Sequence, residues 1–258
     1  MDSLKTSDLH VSAMVQIGKL NTNINLYELA ANLSINDTIL YVEHGASIMK
    51  GVNPKHISKK KIKKNLSNKK FFYNQVTVHV SSDKRINVKI FNNGRIQMTG
   101  INKDDQGENT IRLLINEFTR LSDDIKMTIF DETDIYQEGS IETVLINSDF
   151  DIFFEVNREV LHRLIVDQGY CSSYEPCTYP GVNIKYYHNP VQNNFGICNC
   201  DKPCNGKGKD NTCKKITIAV FKSGKIIITG GRTKGNINTA YQFITSFISK
   251  HREKIIMK

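Results

Sequence analysis

The chain has 258 residues, with 35 Lys and Arg against 26 Asp and Glu, a formal net charge of +9 and a pI near 9.1. That length holds one large domain or two small ones, and the positive balance suits an anionic partner: nucleic acid, an acidic protein or a membrane surface. No apolar run is long enough to span a bilayer, the opening MDSLKTSDLH lacks the apolar core of a secretory signal, and the six cysteines cluster late, so an intracellular, reducing setting is expected.

In chain order, VSAMVQI reads as a strand and INLYELAANL as a short helix. NPKHISKKKIKKNLSNKK, with eight lysines from Lys55 to Lys70, reads as a basic loop. FFYNQVTVHV leads into a strand opening at Val76, and INVKIFNNGRIQMTG (Ile86 to Gly100) reads as two strands around a tight turn. ENTIRLLINEFTRL carries apolar residues at spacings of three and four, the pattern of an amphipathic helix. DDIKMTIFDETDIYQEG is a junction, after which the series starts again: strand ETVLIN, helix VNREVLHRLI, a strand opening at Val182, hairpin ITIAVFKSGKIIITG and helix INTAYQFITSFISKH. Phe91 and Phe221, Gly94 and Gly224, and Thr99 and Thr229 are each 130 positions apart. The chain therefore reads as an internal duplication: a first repeat over 1–127 with a basic insertion at about 53–70, a linker over 128–140, and a second repeat over 141–258 with a Cys-rich insertion at about 189–215. The expected class is α+β.

Strand parity assigns faces. Ile216, Ile218, Val220, Ile226 and Ile228 share one face, as do Ile86, Val88, Ile90, Ile96 and Met98; the helices are expected to cover it. The other face carries Thr217, Ala219, Lys225, Ile227 and Thr229, and there, off the core parity in both copies, stand Phe91 and Phe221. In the second insertion Cys198, Cys200, Cys204 and Cys213 are spaced C-x-C-x3-C-x8-C, four thiolates able to close a tetrahedral structural zinc site in a loop with few apolar residues, against the alternative of a flexible loop with free thiols. His188 is a reserve ligand, and Cys171 and Cys177 are read as ordinary thiols. No phosphate-cradling Gly loop, His-rich metal motif or paired carboxylate points to catalysis, so no enzyme is expected.

YEPCTYPGVNIKY followed by AVFKSGKIIITG resembles the second repeat of the TATA-box-binding protein core, and VKIFNNGRIQMTG resembles the matching part of the first. The insertions mark a divergent member, similar to those encoded by large DNA viruses. The resemblance implies a saddle: a curved antiparallel sheet with helices on the convex face and DNA beneath the concave one. The family bends DNA from the minor groove with inserted apolar wedges. By motif those wedges fall on Tyr73 with Phe91, and on Tyr179 with Phe221, and Phe72 is a substitute for Tyr73. The resemblance further places Thr99 and Thr229 at base edges, Arg95, Lys225 and Arg232 at phosphates, and Val15 and Ile227 on the groove floor. It also implies departures. Ala13 and Leu145 stand where the family has groove-reading Asn residues, with Asn147 as a one-sided compensation; Asn102 replaces the counterpart of Arg232; Gln97 replaces an apolar residue. In the segment that docks the bridging factor, Glu175 is kept but Cys177 and Thr178 are not the family residues. The implied function is a transcription initiation factor that binds and bends AT-rich double-stranded promoter DNA. Its partners would be general transcription factors bridging to RNA polymerase, with no membrane, as a monomer or weak dimer, in the host cytoplasm or nucleus if viral. The rival reading is a saddle that has lost sequence-specific DNA binding and docks other transcription proteins.

Overall fold

The computed structural model describes residues 4–52, 71–132, 140–189, 196–198, 200, 204–208 and 212–257. The lysine-rich insertion at 53–70 lies outside them. The chain forms two compact units, Val15–Thr143, and Met1–Met14 with Val144–Lys258.

The first unit contains most of β1 (His10–Lys19), then α1 (Leu26–Asn32), β2 (Ile39–His44), β3 (Ile48–Gly51), β4 (Gln75–Ser81), β5 (Arg85–Phe91), β6 (Arg95–Ile101), α2 (Gln106–Thr119) and α3 (Asp123–Ile129). The strands run β3-β2-β4-β5-β6-β1 across the sheet. The second unit contains most of β7 (Glu142–Asp151), then α4 (Arg158–Asp167), β8 (Cys171–Ser173), β9 (Val182–His188), β10 (Lys214–Val220), β11 (Lys225–Gly231) and α5 (Lys234–Ile255), with strands in the order β7-β11-β10-β9-β8.

Both hairpins close in the same register: Asn87 faces Thr99 as Thr217 faces Thr229. Each turn needs its glycine. Gly94 (φ +76°) and Gly224 (φ +87°) take a left-handed conformation, and a Cβ there would lie 2.3 Å from Leu20 O and 2.5 Å from Phe154 O respectively. The parity faces are as read from the sequence. Ile86, Val88, Ile90, Ile96 and Met98, and Ile216, Ile218, Val220, Ile226 and Ile228, are all fully buried. In the first unit Ile111, Leu114 and Phe118 of α2 supply buried residues, and in the second Ile237, Ala240, Ile244, Phe247 and Ile248 of α5 do so.

The caps repeat as well. Asn25 accepts from Glu28 N at 3.3 Å to start α1, and Asn157 accepts from Val160 N at 3.2 Å to start α4. Asn25 N then donates to Ile129 O, and Asn157 N to Ile255 O. The end of α3 therefore does for the first unit what the end of the longer α5 does for the second. Residues 123–130, read from the sequence as the start of a junction, close the first core through buried Ile129 and Phe130. β2, β3 and β8 are further elements the sequence reading did not separate. No helix among the described residues is long and apolar enough to cross a membrane.

Candidate nucleic-acid interface

The sheet face away from the helices is half-exposed in each unit. In the second, Phe221 follows β10 and Tyr179 ends a turn made by Thr178 N and Tyr179 N donating to Glu175 O, both at 2.9 Å. The two rings meet at 5.8 Å between centroids, tilted by 60°. Gly181 makes this contact possible: a Cβ there would stand 3.0 Å from Tyr179 Cε1 and 3.2 Å from Phe221 Cε1. Arg158, at the start of α4, fastens the turn by donating to Pro180 O and packing over the Tyr174 ring at 5.3 Å. Ser173, Glu175, Thr178, Tyr179, Gly181 and Asn183 line a shallow hollow beside the pair.

Towards β7 the same face carries Thr229, whose hydroxyl donates to Asn147 Oδ1; the two are cross-strand partners. The structure thus unites the expected Thr229 with the compensating Asn147. Ile227 is half-buried beside them, opposite Asp149. Lys225, expected at a phosphate, is ion-paired to Asp149 Oδ2. Arg232 lies beyond the end of β11; its Nε is buried with no hydrogen-bond partner. Lys185, missed by sequence reading, spans the open face by donating to Asn183 Oδ1 at 2.9 Å and Thr217 Oγ1 at 3.1 Å. Burial, and then the charge of Lys215, lower its pKa. The parity counted from Val182 was the signal that would have found it.

The first unit is built alike but not identically. Phe91 and Val15 are half-buried, Arg95 is exposed, and Thr99 donates to Asn87 O at 3.4 Å. Tyr73, 67% exposed, does not share a ring contact with Phe91. Its ring neighbour among the described residues is His44, edge-on at 6.4 Å, and it lies across Gly45. Phe72, 56% exposed, has Lys89 Nζ over its ring at 6.0 Å, and Lys89 shares the parity of Phe91. A local difference accompanies this. Gln75 is the cross-strand partner of Phe91, and counted back from the strand openings (182 − 76 = 106) it stands where the second unit has Gly181. Gln75 carries a buried side chain at that place, its Nε2 donating to Thr77 Oγ1 at 3.2 Å.

Cys198, Cys200, Cys204 and Cys213 bring four sulfurs within 4.8 Å of one another, a cluster able to hold a metal ion. Short strand bridges, Tyr187 with Gly196 and Lys207 with Lys214, stitch their loop to β9 and β10. Gly206 N donates to Cys204 Sγ at 3.3 Å, a contact of the kind that steadies a thiolate. Burial, then the neighbouring Cys200 and Cys198, push the Cys213 thiol up to about 12, so without an ion that sulfur stays protonated. Cys171 and Cys177 are exposed and outside the cluster, and His188 is not part of it.

Residues 150–251 match the family described as transcription factor TFIID, or TATA-binding protein. Over 98% of its length the chain is 29% identical to a TATA-box-binding protein-like protein of Acanthamoeba polyphaga mimivirus, covering 68% of that protein. Among solved structures it is similar to Methanococcus jannaschii TBP, with a TM-score of 0.56 and 19% identity over 95% of this chain and 99% of that one. That last likeness establishes the fold, the α+β class expected from the sequence. The family match over residues 150–251, the viral relative and the fold agree with the off-core aromatics: the second unit carries the TATA-binding-protein family match, and the chain as a whole is similar to a viral TATA-box-binding protein-like protein.

Proposed function

We propose that this protein binds double-stranded, AT-rich promoter DNA through the minor groove and bends it to begin transcription, without catalysing a reaction. The carrying observation is the Tyr179–Phe221 pair, two exposed-face aromatics held together at the end of the sheet by the absence of a side chain at Gly181. Rings so placed are suited to open a base step, at roughly a few kcal/mol, in return for a bent duplex with more contact. Phe91 with Phe72 or Tyr73 would act likewise in the first unit. Thr99 and the Asn147–Thr229 pair would meet base-edge acceptors. Arg95, Lys225, Arg232 and the lysines of 53–70 would meet phosphates. Such a protein works inside the cell beside general transcription factors that bridge to the polymerase, as a monomer or weak dimer. Gel-shift and bending assays on AT-rich duplexes at several salt concentrations test this. Binding with a bend supports it, and intact protein that neither binds nor bends sinks it.

A second reading has an observation of its own. Lys225 is engaged by Asp149 and Tyr73 by His44, so part of the expected DNA surface is used internally. A module that docks transcription proteins and has lost sequence-specific DNA binding accommodates both, and an absence of bending by protein with its aromatics intact would decide for it.

The ion we assign to the four-cysteine cluster is one structural zinc. A tetrahedral zinc with Zn–S bonds of about 2.3 Å sets its sulfurs ~3.8 Å apart, compatible with the observed grouping.

A further inference from the structure

The open face of the second unit holds an acidic residue that the DNA-binding reading leaves without a task. Asp149 lies on β7 opposite Ile227, two residues from Asn147 and on its face. Its side chain is 20% exposed. Lys225 takes Oδ2, while His10 Nδ1 stands 3.7 Å from Oδ1, outside hydrogen-bond reach. An ionised carboxylate has about four lone-pair sites, so acceptor capacity remains towards the open face. Asp151, the next residue of that parity, is spent locally: its Oδ1 accepts from Phe153 N at 2.6 Å.

A carboxylate can only accept. In the minor groove, A·T and T·A pairs show only N3 and O2 acceptors, and the one donor on any pair is the 2-amino group of guanine. Against an A·T edge Asp149 would meet lone pairs, and in a narrow A-tract a negative potential as well. Against guanine it would gain a charge-assisted hydrogen bond.

We propose that Asp149 is a specificity-determining residue that makes one position of the bound site a G·C pair, read through the guanine 2-amino group. This rests on the minor-groove reading above. The duplication adds a consequence. Asn25 and Asn157 start equivalent helices, and 157 − 25 = 132, so the counterpart of Asp149 is Ile17 (149 − 132), half-buried and apolar. The preference therefore falls in one half of the site only, and it distinguishes the two orientations in which a duplicated fold can sit on AT-rich DNA.

The test uses the full chain and a labelled AT-rich duplex in which each A·T pair is replaced in turn by G·C, by inosine·C, which lacks the 2-amino group, or by 2,6-diaminopurine·T, which adds it. At one position, G·C and diaminopurine·T should bind about ten-fold tighter than A·T and inosine·C, within the range for a base contact. Asp149→Ile, which copies the first unit, should abolish that preference. Asp149→Asn offers an amide donor and should turn it towards A·T; thermal melting establishes that both variants fold. The inference is overturned if the parent prefers the amino group nowhere, or if the preference survives in both variants. Binding and bending without that preference overturn this inference alone, whereas no binding to any duplex overturns the minor-groove reading and this with it.

Discussion

Replacing Phe221 by alanine separates a wedge from a core residue. Phe221 is half-buried, and its one ring neighbour among the described residues is Tyr179 at 5.8 Å. Losing such a pair costs about 0.5–1.5 kcal/mol beyond the area exposed. Phe118, 1% exposed and packed on Phe130 at 5.3 Å, is the contrast: its truncation should cost about 3–5 kcal/mol. At about 2–4 °C per kcal/mol, Phe221→Ala should lower the melting temperature by only a few degrees, and Phe118→Ala by roughly 10 °C. The DNA readout should order the two the other way. With end-labelled AT-rich duplex and energy transfer between the ends, Phe221→Ala should reduce the bend and weaken binding, because alanine cannot hold a base step open. Phe91→Ala, in the other unit, should remove a second kink, and the double variant both. The reasoning fails if Phe221→Ala melts as early as Phe118→Ala, or bends DNA as the parent does.

Gly181→Ala would push a methyl to 3.0 Å from the Tyr179 ring and 3.2 Å from Phe221. Urea unfolding should register less than about 1 kcal/mol, since alanine also restricts the unfolded chain, whereas the bend should drop; an unchanged bend would mean that the pairing of the rings is irrelevant. Protein purified under reducing conditions without chelator should contain one zinc per chain, and replacing Cys198, Cys200, Cys204 and Cys213 by Ser should remove it and leave the sheet cores folded; metal analysis finding none in the parent refutes the site. Because the Cys213 thiol is protonated until an ion arrives, zinc uptake should release protons and weaken as pH falls, measurable by competition with a chromogenic chelator. Changing Lys59, Lys60, Lys61, Lys63 and Lys64 to Gln should weaken binding about equally for all sequences and flatten log K against log salt by about 0.9 for each phosphate no longer neutralised, and an unchanged slope places them off the DNA.

The hairpins were legible because two periodicities coincide: the alternation that buries Ile216, Ile218 and Val220 recurs 130 residues earlier, with the same turn glycine. α2 and α5 were legible by their spacings of three and four. α3 was not: seven residues beginning with two aspartates bury only Ile129, too little to form an apolar stripe. β2 buries Tyr41 and Val42 in succession, which breaks alternation, and β8 is three residues long. On the open face, Phe91, Phe221 and Tyr179 were visible as residues that repeat between the halves. The pairing of Lys225 with Asp149 was not, because it joins positions 76 residues apart (225 − 149) and depends on the β7–β11 register. The place of Tyr73 was hidden for a different reason: its ring neighbour, His44, lies on β2, a strand the sequence reading did not separate.

Where the two halves agree and where they differ follows from what each position contacts. Helix-side positions match because packing constrains them; deleting a buried aliphatic side chain costs about 2–5 kcal/mol out of a total of roughly 5–15. Turn glycines match because any Cβ would enter a carbonyl oxygen, and the Asn caps match because each satisfies an otherwise orphaned helix N–H. Open-face positions bear none of these costs, and the departures concentrate there: Gln75 against Gly181, Gln97 against Ile227, Ile17 against Asp149. Each exchange changes what the face offers a ligand and leaves the scaffold unchanged. Gln75 puts a long amide where the other half has no side chain, Gln97 puts an amide where the other half has a hydrocarbon, and Ile17 puts a hydrocarbon where the other half has a charge. Under the minor-groove reading proposed above, a scaffold that repeats beneath a face that does not would let the two halves of a duplex be read differently and would give a duplicated protein a direction on DNA.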